Sequence, residues 1–182
     1  MSVQLQSIII KSWRMPWAAL AIALTCIGAL GFAFTMQFGF GYQPCILCLW
    51  QRVPFGLGAM LALAALATRP YGRPTQAVLA LCSLIFLVGT GLAAFHTGVE
   101  QHWWAGTDQC QGSALQATTP EELRAELLRT QIARCDKIDW TLFGLSMANW
   151  NIAFSFLLAL FAGKAALSAS LPPVFKEGEH HA

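Results

Sequence analysis

The chain has 182 residues, 56% of them hydrophobic and only 11% charged, with a formal net charge of +2. A soluble domain carries about one-quarter charged residues, so the composition argues against a soluble globular protein, and so small a charge gives no reason to expect nucleic acid as a partner. Charged side chains are missing from 15–51, 74–99 and 140–163, and about 20 apolar residues suffice to cross the hydrocarbon core of a bilayer. The first span is expected at 17–37. Lys11 and Arg14 precede it, and they would also suit the basic region of a cleaved signal peptide. The apolar run is longer than a signal core and lacks an obvious small-residue cleavage site, so a retained span is the expectation. Phe38-Gly39-Phe40-Gly41-Tyr42-Gln43-Pro44 then breaks the helix, because Gly and Pro punctuate helices. A second span follows at 49–68, with Arg52 at one membrane edge, a third at 77–96 and a fourth at 147–167. The fold class expected is an all-α integral membrane protein, a four-helix transmembrane bundle forming a single membrane domain.

Lys and Arg in short loops mark the cytoplasmic side. Lys11 and Arg14 precede span 1, Arg69 and Arg73 separate spans 2 and 3, and Lys176 follows span 4. These fall on one side of the membrane only if the number of spans is even. Both termini are then cytoplasmic, and two loops face outward, a short one at 38–47 and a long one at 97–146. The long loop holds seven acids and four bases, but long loops translocate largely regardless of charge.

Of the six cysteines, Cys45 and Cys48 fall at the outward end of span 2, and Cys110 and Cys135 in the long outward loop. These four face the compartment where disulfides persist. Cys26 and Cys82 lie within spans 1 and 3 among apolar neighbours and read as packing, since a free Cys behaves as a small hydrophobe. Cys45-Ile46-Leu47-Cys48 is a Cys-X-X-Cys pair at a helix start, where the dipole and unsatisfied N–H groups stabilise a thiolate. Arg52, one turn beyond Cys48, can share its helical face. A zinc half-site is the competing reading of Cys-X-X-Cys, but structural zinc usually needs a second close pair, and Cys110 and Cys135 are far apart in sequence. No metal is expected. Four cysteines allow three connectivities. Cys45 with Cys48 and Cys110 with Cys135 is the natural choice, and cross-pairing stays open.

Between the latter two lies Thr119-Pro120-Glu121-Glu122, a capping box with Pro at the first helical position. Leu123, Leu127, Leu128 and Ile132 follow at helical spacing. A short amphipathic helix on the membrane surface is expected there, and Trp103 and Trp104 fit an interfacial aromatic belt.

Pro44-Cys45-Ile46-Leu47-Cys48 followed by Gln51-Arg52 resembles the signature of the bacterial disulfide-bond formation protein B (DsbB) family. Phe95-His96-Thr97-Gly98-Val99-Glu100, Trp103-Trp104 and Cys110 are similar to that family's second outer loop, as are Cys135, Trp140, Phe143-Gly144-Leu145-Ser146-Met147 and Trp150. The likeness runs from about residue 15 to 168. Gln51 stands where some members carry an acid. The resemblance implies an inner-membrane oxidase that reoxidises a periplasmic thioredoxin-like (DsbA-like) disulfide donor and delivers the electrons to the membrane quinone pool, as ubiquinone or menaquinone. Cys110 and Cys135 would exchange with the donor, and Cys45 and Cys48 would couple to the quinone through Cys48. Arg52, His96 and Met147 would border the ring. Two rivals are a quinone-linked thiol reductase resembling the vitamin K epoxide reductase family and a non-catalytic, disulfide-stapled membrane protein. The place of Cys-X-X-Cys at the start of span 2 argues against the reductase.

Overall fold

This computed structural model describes residues 3–67, 73–110, 119–122, 124 and 133–169, and among them four long helices dominate. Helix α1, Val3–Phe34, passes into a π-helical turn, Thr35–Gly39; α2 is Ile46–Ala67, α3 is Arg73–Glu100 and α4 is Met147–Ala169. Each contains a stretch long and apolar enough to cross a membrane. The chain is therefore the helical membrane bundle that the gaps between charges predict. Helix α2 starts earlier than the expected span, and α3 runs past 96 to Glu100. The extra turn of α3 is buried between its neighbours, so packing holds it helical where hydropathy alone fades.

Consecutive helices are antiparallel. The Gln51 side chain at the start of α2 meets His96 near the end of α3, Ser83 Oγ donates to the Ala159 carbonyl midway along α3 and α4, and Glu100 meets Ser146 just before α4. The π-helical turn, the start of α2, the end of α3 and the start of α4 thus share one end of the bundle. The start of α1 and the end of α4 share the other.

Small side chains line the helix contacts: Ala19, Ala23, Ala59, Ala62, Ala159, Ala162 and Ala166 are buried, while Leu24, Ile27, Met60, Leu63, Leu84, Val88 and Leu157 point outward. Small residues let membrane helices approach closely, because lipid offers large apolar groups as good an environment as the core does. Gly58 allows one such close approach. A Cβ there would stand 2.5 Å from the Phe86 ring and 3.3 Å from Cys26 Sγ. Cys26 and Cys82 are both fully buried beside it, with Cys82 Sγ 3.9 Å from the Gly58 carbonyl, in line with the packing role expected of them.

The loop before α4 closes in an antiparallel hairpin, β1 Thr141–Leu142 and β2 Leu145–Ser146. Phe143 (φ 52°) and Gly144 (φ 77°) form its turn, two left-handed residues as a two-residue hairpin prefers. Trp150 Nε1 donates to the Leu142 carbonyl at 3.1 Å and ties the hairpin to α4. The capping box forms as the sequence predicts: Glu122 N–H donates to Thr119 Oγ1 and Thr119 N–H to Glu122 Oε2, each at 3.2 Å. The stripe Leu123, Leu127, Leu128 and Ile132 lies outside the described residues. Trp103 is exposed, as an interfacial anchor would be, whereas Trp104 stacks on Phe95, donates to the Phe95 carbonyl and covers Gly98.

Candidate active site

The site starts from a helix cap. Cys45 is the residue before α2, and its carbonyl accepts the Leu49 N–H at 3.1 Å, the first bond of the helix. Its Sγ accepts the Cys48 N–H at 3.2 Å, as the side-chain oxygen of a Ser or Asp cap would. Cys48 Sγ lies 2.9 Å from the same sulfur. The two are free cysteines, Cys45 buried and Cys48 half-buried. The Cys48 hydrogen bond, opposed by burial and assisted by His96, pulls the Cys45 thiol down to about 5. The shift favours the thiolate form of Cys45, and the Cys-X-X-Cys spacing contributes by placing the Cys48 N–H and thiol in the first helical turn beside it.

His96 reaches this sulfur from α3, with Nε2 3.6 Å from Cys45 Sγ. It is buried, and its polar atoms are all engaged. Nδ1 lies 2.7 Å from Gln51 Nε2, and Nε2 lies 3.8 Å from Glu100 Oε1 one turn along α3. Gln51 Oε1 accepts from Asn151 Nδ2, whose Oδ1 accepts from Ser155 at 3.0 Å. Glu100 accepts from Ser146, and Ser146 in turn caps α4 by accepting the Asn149 N–H at 3.2 Å. A continuous polar chain thus links α2, α3 and α4 at the end of the bundle that carries the cysteines.

Cys110 and Cys135 form a disulfide. Both are buried and pack in one apolar cluster with Cys45, Leu47 and Val99, with Cys48 against its edge. The Cys135 N–H donates to the Cys110 carbonyl at 3.1 Å, and Thr107 Oγ1 lies 3.4 Å from Cys110 Sγ. Beside Cys135 the surface is polar. The Arg134 guanidinium holds the Asp136 carboxyl below its usual range, and His102 stands 4.0 Å from it.

A cavity of about 640 Å³ opens next to the reduced pair, lined by Cys45, Cys48, Arg52, His96 and Met147 together with Met36, Gln37, Phe55, Trp140 and Phe154. Its walls are mostly apolar with a few convergent polar groups, and its size falls in the range of small-molecule sites. The half-buried Arg52 donates to Gln37 Oε1 at 2.6 Å and lies over the Phe34 ring, 5.1 Å from its centre. Both Gln37 and Met36 come from the π-helical turn, a form that recurs at functional sites.

All seven site residues expected from sequence are at this end of the bundle. Cys45, Cys48 and His96 touch, Arg52 and Met147 share their cavity, and Cys110–Cys135 packs against Cys45. Sequence reasoning missed Gln37, Glu100 and Asn151, and it noted Gln51 only as a departure. The signal for them was available: polar side chains in apolar spans are costly and mark function. Each is a single residue, however, and only packing shows which ones converge.

The family model for disulfide bond formation protein DsbB matches residues 15–165. Among curated proteins, the chain is 33% identical over 147 residues to a Disulfide bond formation protein B of Aromatoleum aromaticum, covering 79% of this chain and 87% of that protein. It is 32% identical over 152 residues to one of Xylella fastidiosa (81% and 87%) and 33% identical over 150 residues to one of Xanthomonas euvesicatoria (80% and 87%).

Proposed function

The chain belongs to the disulfide bond formation protein DsbB family, and from that premise we propose that it is a thiol oxidase of the bacterial inner membrane. On this reading it reoxidises a periplasmic thioredoxin-like donor and passes the electrons to a membrane quinone. Membership carries the coarser part, a multi-pass membrane disulfide oxidoreductase. The observation that supports the finer part is the meeting of two cysteine pairs, one bonded and one reduced, beside an apolar cavity that holds an arginine and a histidine.

The exchange runs through thiolates. A reduced donor thiolate attacks the Cys110–Cys135 disulfide, and the donor's second thiol resolves the mixed disulfide, leaving two thiols on this chain. These reduce the Cys45–Cys48 disulfide and close their own bond again. The Cys110–Cys135 bond packs in one cluster with Cys45, which supports an exchange between the two pairs. The Cys45 thiolate, 2.9 Å from Cys48 Sγ, closes the inner disulfide as an electron pair and the Cys48 proton leave. His96 Nε2 lies 3.6 Å from the Cys45 sulfur.

The cavity residues fit a quinone. Arg52 offers donors to a ring oxygen, Met147, Met36 and Phe55 offer apolar contact, and Cys48 and His96 border the space. When bound, a quinone supplies a sink for two electrons and two protons. Lys11, Arg14 and Arg73 belong to the opposite end of the bundle, and by the positive-inside rule this supports a periplasmic location for the cysteines.

The test is quinone reduction by purified protein in detergent, with a reduced thioredoxin-like periplasmic protein as donor. Quinone loss that requires both the donor and Cys48 supports the reading. Well-folded protein that turns over neither ubiquinone nor menaquinone analogues would overturn it.

A further inference from the structure

We propose that the reduced form of the inner pair is also a metal site: Cys45, Cys48 and His96 bind a borderline-soft divalent cation of the zinc class, which holds the pair as thiolates and withholds its electrons. This goes beyond the oxidase reading and stands whichever acceptor takes those electrons.

Among the described residues, Cys45 Sγ, Cys48 Sγ and His96 Nε2 form a group of buried or half-buried donors all within 4.8 Å of one another. Two sulfurs and one imidazole nitrogen suit Zn²⁺, which bonds thiolate at about 2.3 Å and imidazole at about 2.0–2.1 Å. Tetrahedral geometry with those bond lengths needs S···N near ~3.6 Å and S···S near ~3.8 Å. The Cys45–His96 separation is already 3.6 Å. The two sulfurs, 2.9 Å apart, must open by a little under ~1 Å, and Cys48 borders the cavity into which it would turn. The fourth position is open to water from the cavity that the three donors border.

The outer support is also present. A metal-bound imidazole holds its proton on the other nitrogen and donates it to an oxygen. His96 Nδ1 faces the Gln51 amide, and the chain from Gln51 through Asn151 ends on the Ser155 hydroxyl. A hydroxyl both donates and accepts, so the two amides can turn over together and present the Gln51 oxygen to Nδ1. Binding to the dithiol form makes two metal–sulfur bonds and expels the thiol protons, and no electron moves. The disulfide form offers no thiolate. Metal binding and disulfide closure therefore exclude each other. The sequence hid this site because the second close cysteine pair that zinc usually takes is replaced by a histidine 48 residues after Cys48, one helix away.

The experiment is a zinc titration of the full chain in detergent against a chromogenic chelator, with Co²⁺ as the spectroscopic probe. Protein with Cys45 and Cys48 reduced should bind one ion per chain and develop thiolate-to-cobalt absorption, and oxidised protein should do neither. Cys26→Ala/Cys82→Ala should bind as wild type does. Gln51→Leu, which removes the outer support, should weaken zinc by about 10–100-fold, and His96→Gln by at least as much. Equal binding by reduced and oxidised protein would overturn the proposal. So would full binding by Cys45→Ser/Cys48→Ser, or reduced, folded protein that binds no ion.

Discussion

Two pairs of unbonded cysteines occupy the same bundle and have opposite surroundings. Cys26 and Cys82 meet beside Gly58 in the middle of the helices, where each sulfur faces apolar side chains and, for Cys82, a distant carbonyl. Cys45 and Cys48 stand at a helix start, where one sulfur receives a backbone N–H, lies beside the other and faces an imidazole. Burial is not what separates them, since Cys26, Cys82 and Cys45 are all buried. Reactivity follows from the supply of donors. A helix interior has already spent its N–H groups on its own carbonyls, whereas the first turn has not.

Exchanging the two pairs is the harshest test of that contrast. Cys45→Ser or Cys48→Ser should reduce donor-dependent quinone turnover to background, while Cys26→Ala/Cys82→Ala should keep the wild-type rate; matching losses in both would mean that position along the helix does not matter. Next in size is the pH dependence of Cys45 alkylation. A lowered thiol stays ionised through neutral pH, so the rate in reduced protein should hold a plateau and fall only as the pH drops through about 5. Removing the leading donor with Cys48→Ala should move that midpoint up toward the ordinary thiol value of about 8.5, and His96→Ala should move it less. A wild-type midpoint already near the ordinary value would remove the thiolate from the mechanism.

Arg52→Ala probes the cavity rather than the sulfurs. Hydrogen bonds to charged groups contribute about 1.5–3 kcal/mol, so the KM for quinone should rise by roughly 10–100-fold with alkylation of Cys45 unchanged. An unaltered KM would take Arg52 out of the site. The smallest effect is expected at the inert pair's own neighbour. Gly58→Ala brings a methyl to 2.5 Å from the Phe86 ring, and overpacking of this kind costs about 1–3 kcal/mol. Thermal unfolding in detergent should show the loss, with turnover per folded molecule preserved. A drop in turnover alone would tie the mid-bundle packing to the chemistry.

Much of this was legible before any coordinates. Four spans follow from gaps between charges, because the bilayer imposes a length and penalises charge whatever the tertiary contacts are. The break at 38–44, the helix start at Cys45, the capping box at Thr119–Glu122 and the packing role of Cys26 and Cys82 are local, set by residues within a turn of one another. The seven site residues were named from local motifs and from resemblance to a family. Neither source showed that His96 would touch Cys45, or that Gln37, Glu100 and Asn151 would join them.

Sequence alone thus determined the helices, their order and which cysteines could be reactive, since each depends on composition or on neighbours along the chain. Only the tertiary structure decided which polar groups converge. Gln51, His96, Glu100 and Asn151 sit on three helices, and their meeting depends on helix rotation and depth, fixed by small-residue contacts such as Gly58 against Phe86 that leave no periodic trace for a reader of the chain. The same holds for the Cys110–Cys135 bond against Cys45. Its two residues are separated by 25 positions, and only the folded loop brings that sulfur pair onto the capped helix start.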